Sequence, residues 1–155
     1  MNENLWDFSN PSQLSSEPLE TPDTILKEQM EQLKRITEGV IVPSDTIYTL
    51  SKRRSDNADL EDYSFAHEFY LTVPTLDHYR KVFLTLYTRD NAAYPVALSD
   101  HSYLDDFNNE DSPNYVCSDK EDFSSTLKSY FASSDTKKLL RILYQKAQTV
   151  GTLNA

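Results

Sequence analysis

Residues 63–73 of this 155-residue chain read YSFAHEFYLTV, so Tyr63, Phe65, His67, Phe69, Leu71 and Val73 alternate with Ser64, Ala66, Glu68, Tyr70 and Thr72. A period of two sends successive side chains to opposite sides of an extended backbone, which predicts a β-strand with one buried face. Residues 79–88 follow with Val82, Leu84 and Leu86 at one parity and Tyr79, Phe83 and Tyr87 at the other. A strand apolar at both parities belongs inside a sheet. Asp90 and Asn91 then turn the chain, and Tyr94, Val96 and Leu98 alternate again. Pro95 cannot donate to a ladder and points to an edge strand, as does Pro43 within VIVPSDTIYTL upstream. A three-residue loop at 89–91 pairs Leu86 with Tyr94, Leu84 with Val96 and Val82 with Leu98, which keeps the apolar positions of both strands together.

Helical periodicity flanks these strands. Residues 23–38 place Leu26, Met30 and Leu33 at i, i+4 and i+7 behind a capping Asp23 or Thr24, with Gly39 as the stop. Ser118 and Glu121 have the spacing of a capping box, and Phe123, Leu127, Tyr130 and Phe131 form an apolar stripe after it. Residues 133–135 offer a break and a new cap before a last helix with Leu139, Leu140, Ile142 and Leu143 inward and Gly151 as its end. The expected fold is α+β: a four-stranded antiparallel meander with an N-terminal helix and two C-terminal helices packed on the sheet. Residues 23–150 are expected to form one domain. Residues 1–22, with Pro11, Pro18 and Pro22 among serines and acids, read as a disordered tail.

Several function classes lose their signatures. Gly39 and Gly151 are the two glycines of the chain, so a phosphate-binding glycine loop, a dinucleotide fingerprint and a nucleophile elbow are all missing. Cys117 is the one cysteine, which excludes an intramolecular disulfide and a multi-cysteine zinc site. A net charge of −10 repels phosphate backbones and anionic membranes, so the expected partner is a protein, with basic proteins favoured, and neither nucleic acid nor membrane. The start MNENLWDFSN has neither the basic region nor the apolar stretch of a signal peptide, so the expected location is cytoplasmic.

Two sets of aromatics are candidate protein-binding residues. Tyr70, Tyr79, Phe83 and Tyr87 are read as one sheet face of large rings with polar tips, the residue types that binding surfaces favour. Trp6 and Phe8 stand in an acidic tail, as docking peptides do. The leading expectation is a non-enzymatic protein-binding module that uses this face, the N-terminal helix or both, with self-association as one form of it. An acidic inhibitor or immunity-type protein that neutralises a basic enzyme is the alternative. A small metal-assisted hydrolase on His101, Asp105 and Asp106 is the second alternative, although that loop lacks the alternating carboxylates and glycine of a calcium loop. No cofactor and no catalytic residue is assigned. His67 shares its parity with Phe65, Phe69 and Leu71 and reads as a neutral, buried histidine.

Overall fold

The computed structural model describes residues 3–15, 20–50, 60–100 and 113–153. Strands β1 (Val42–Thr49), β2 (Phe65–Val73), β3 (Tyr79–Thr88), β4 (Val96–Asp100) and β5 (Tyr115–Cys117) form one antiparallel sheet in sequence order. The helices are α1 (Ser12–Ser15), α2 (Pro22–Ile36), α3 (Lys120–Phe131) and α4 (Ser134–Leu153). The class is therefore α+β with an antiparallel sheet, but the sheet has five strands among the described residues rather than four. The added strand, β5, is three residues long and pairs with β4, so β4 is interior and Pro95 lies just before it instead of marking an edge. β1 occupies the expected edge.

Helix ends follow capping chemistry close to the sequence signals. Pro22 takes the first turn of α2, where its missing N–H costs nothing, and Thr21 and Thr24 cap each other. At the other end the Gly39 N–H donates to the Lys34 carbonyl and Glu38 N–H to that of Arg35, with Glu38 and Gly39 at φ of 55° and 81°. The cap of α3 is Asp119, one residue beyond the expected serine. Its carboxylate accepts the Asp122 N–H at 2.8 Å while the Asp122 carboxylate accepts the Ser118 N–H at 3.0 Å. Ser133 Oγ accepts the Thr136 N–H at the start of α4, and α4 continues through Gly151 to Leu153.

One irregularity controls which residues face which side. Phe69 pairs with Leu84 but its neighbour Tyr70 pairs with Val82, so Phe83 is an extra residue on β3. Such a bulge sends two successive side chains to the same side. Phe83 thus joins Leu84 and Leu86 in the main core, together with Leu26 and Met30 of α2, Phe123, Leu127 and Tyr130 of α3, and Leu143 and Ala147 of α4. Its ring stacks on Tyr130 at 4.9 Å and on Phe131 at 6.1 Å. The Tyr130 hydroxyl donates to the Phe83 carbonyl at 2.6 Å. The opposite face carries Val82, Thr85 and Tyr87, paired with Tyr70, Glu68 and Ala66.

The β3–β4 register differs from the expected one by four residues, because residues 89–95 form a longer connection that includes a cis Tyr94–Pro95 bond. Leu86 faces Leu98 rather than Tyr94. An even shift leaves every side chain on its expected face, so Val96 and Leu98 are still buried beside Leu84 and Leu86. The bulge gives an expected outcome for stability. Phe83→Ala should cost about 3–5 kcal/mol, as a buried ring does, and Val82→Ala on the half-buried opposite face less than about 2 kcal/mol. Urea denaturation of the two variants measures both, and a larger cost at Val82 would contradict the assignment of faces.

Candidate functional site

Helix α2 presents two lines of side chains, one apolar and one mixed. Leu26, Met30 and the half-buried Leu33 contribute to the main core. Ile25, Gln29, Gln32 and Ile36, at i, i+4, i+7 and i+11, follow a second line that borders a groove between α2 and the α3–α4 pair. One part of the groove, of about 470 Å³, is lined by Ile25, Gln29, Leu127, Lys128 and Phe131 among others. The second, of about 150 Å³, is lined by Gln29, Met30, Leu33, Ile36, Phe83, Phe131 and Leu140 among others. The two meet at Gln29 and Phe131. Phe83 lies at the base of the second part because the bulge turns it to this side. Ile36 is 76 % exposed at the far end. A β-branched isoleucine is an indifferent helix former, so propensity does not account for its place there.

The four aromatics expected on one sheet face are divided between two. Phe83 is 2 % exposed in the main core. Tyr79, opposite Val73, belongs to the same side and is 45 % exposed at the strand end. Tyr70 and Tyr87 do lie on the other face, in different surroundings. Tyr87 is buried in a small second core with Leu60, Tyr63, Ala66 and Ala97. The Tyr70 hydroxyl donates to Glu68 Oε2 at 2.7 Å, and the Arg80 guanidinium lies 3.5 Å over its ring. Its rim is thus already occupied by a carboxylate and a cation. Trp6 is 75 % exposed and Phe8 half-buried, with their rings 6.0 Å apart. His101, Asp105 and Asp106 lie outside the described residues. Among the described residues, no group of three or more His, Cys, Asp or Glu side chains is placed to hold a metal.

His67 is the buried titratable group most open to chemical interpretation. It is 5 % exposed, at the edge of a cleft of about 410 Å³ that also includes Thr21, Asp23, Thr88 and Arg89. Nε2 lies 3.0 Å from Thr88 Oγ1. A threonine nucleophile needs a base that is itself held by a third group. Among the described residues no carboxylate is hydrogen-bonded to this imidazole, so the pair is a packed polar contact. Burial pushes the Cys117 thiol up, with a hydrogen bond from Thr126 opposing, and an apolar, protonated thiol is unreactive. Among the described residues no helix is long and apolar enough to cross a membrane.

Compared with family models, with curated proteins and with solved structures, the chain matches none.

Sequence periodicity identified the core stripe of α2 but not its groove stripe, because two of the four residues on it are glutamines. The phase shared by Ile25 and Ile36, three helical turns apart, is the signal that was present. His67 gives an expected pH dependence. Burial, partly opposed by Asp23, lowers its proton affinity below the ordinary 6.5. As pH falls through 6.5 the unfolded chain takes up a proton that the folded chain refuses, so stability declines there and is flat above. Urea midpoints should fall from about pH 7 to about pH 5.5, and His67→Gln should flatten that slope. An unchanged slope in the variant would remove His67 as its source.

Proposed function

We propose that this chain is a non-enzymatic protein-binding module whose docking surface is the groove between α2 and the α3–α4 pair. In this reading the chain from the Thr21 cap of α2 to residue 150 acts as one folding unit, the three long helices cover one face of the sheet, and the residues before that cap are an appended segment. The observation that carries the reading is the groove itself, two adjoining hollows that share Gln29 and Phe131, are lined by apolar and polar side chains, and reach the exposed Ile36. Burying an isoleucine stabilises a complex by about 1.5–3 kcal/mol, and a helix or extended peptide laid along α2 would bury it.

Charge selects the kind of ligand. Lys128 is the one charged side chain among the described residues that line the two parts of the groove. The ligand that fits is therefore an apolar-anchored segment with acidic residues beside its anchors, despite the net charge of −10 over the whole chain. The sheet face opposite is a weaker candidate because Tyr87 is covered and Tyr70 is already engaged by Glu68 and Arg80.

The test is an NMR titration of the full chain with a synthetic amphipathic peptide that carries leucines three and four residues apart and glutamates on its outer face. Shift changes are expected at Ile25, Ile36, Phe131 and Leu140, and Ile36→Asp should weaken binding by roughly tenfold or more. Changes centred on Tyr70 and Arg80, or none at all, would contradict the proposal.

A further inference from the structure

We infer that the ligand of the groove is the N-terminal segment around Leu5, Trp6 and Phe8 of a second copy of this chain, exchanged reciprocally between two copies. The inference rests on the groove reading above and adds the identity of the occupant.

The segment carries apolar anchors that are not covered. Leu5 is 87 % and Trp6 75 % exposed. Its shape comes from its own hydrogen bonds. The Asn4 side chain donates to the Phe8 carbonyl at 3.0 Å and accepts the Trp6 N–H at 3.0 Å, while Gln13 Oε1 accepts the Ser9 N–H at 2.6 Å. These bonds form a compact loop with Leu5 and Trp6 on its outside, and such preorganisation reduces the entropy lost on docking. A segment with exposed leucine and tryptophan in water has a ready gain from any apolar channel of suitable size.

Size and charge are compatible. From Ile25 to Ile36 the groove runs about 16 Å along α2 at ~1.5 Å per residue, and the compact loop, with Leu5 to Phe8 spanning less than the ~10 Å of an extended chain, would fill one part of it. Residues 1–22 contain Glu3, Asp7, Glu17 and Glu20 and no lysine or arginine. Asp7 lies between the two aromatic anchors, where it would meet the Lys128 side of the groove. Within a single chain Leu5, Trp6 and Ile36 at the groove's end all stay exposed, although the intervening residues are long enough to reach. A two-fold exchange covers both surfaces in both copies and closes on itself, and the two docked segments reinforce each other.

Trp6 is the only tryptophan of the chain, so its fluorescence reports the segment alone. The full chain is followed over a roughly thousandfold range of concentration, with mass measured by sedimentation. With rising concentration the emission should shift to the blue and become protected from acrylamide, in step with a doubling of mass. Ile36→Asp, at an exposed position that the fold does not need, should move that transition to at least about tenfold higher concentration. Exposed emission at every concentration overturns the inference. So does buried emission in a monomer, which would mean docking within one chain, and so does a doubled mass with no change at Trp6. The leucine-anchored peptide, added below the concentration at which the mass doubles, or to Trp6→Ala if it has doubled throughout, separates the two proposals: if it perturbs the groove while Trp6 of the unaltered chain stays exposed at every concentration, only the exchange fails, and if it perturbs nothing, both fail.

Discussion

The arrangement of this protein depends on how the carbonyl and ring of Phe83 are accommodated. As the extra residue of a bulge, Phe83 lies outside the β2–β3 pairing and has no partner on β2. A buried carbonyl without a donor costs about 1–3 kcal/mol, and the Tyr130 hydroxyl supplies that donor at 2.6 Å. The same tyrosine stacks its ring on that of Phe83, and Phe131 stacks beside it. One helical turn of α3 therefore satisfies the polar and the apolar demands of the bulge together, and a regular β3 would have neither contact.

The two sides of the sheet differ because of this. On one, Phe83, Leu84 and Leu86 share a core with residues of α2, α3 and α4, and Phe83 with Phe131 borders the groove against α2. On the other, Tyr87 is closed over by Leu60 and Tyr63, while Val82 lies opposite Tyr70. Among the described residues large hydrophobes stay exposed at several places, including Leu5, Trp6 and Leu14 in the N-terminal segment, Ile36 at the end of α2, and Ile47 and Val116 on the outer strands β1 and β5, not in a continuous field of tyrosines. Of these, the proposed docking uses the ones at the groove and in the tail, Ile36, Leu5 and Trp6.

Much of this was legible in the residues, for identifiable reasons. Alternation over 63–73 and over 79–88 located β2 and β3, since a half-buried strand has no other way to segregate its side chains. The parity of β4 was also recoverable, although its register was not. Parity depends on the apolar pattern, whereas register depends on loop length, and the turn residues Asp90 and Asn91 do not show that the connection continues through residue 95. β5 was missed because three residues after an acidic stretch are too few to display a period. The bulge was hidden because Phe83 suits either face, and nothing local says that Tyr130, 47 positions later, will bond to its carbonyl. In the site, Trp6 and Phe8 were recognisable as hydrophobes in a polar tail, while Ile25 and Ile36 were masked by the glutamines between them.

The side to which Phe83 turns is tested most directly by aromatic and methyl NOEs in the full chain. The account requires the Phe83 ring to show contacts to the rings of Tyr130 and Phe131, and the Val82 methyls to show them to Tyr70. Contacts from the Phe83 ring to Tyr70 or Tyr87, with the Val82 methyls beside Leu84 and Leu86, would mean a regular strand without a bulge, and would remove the base of the groove.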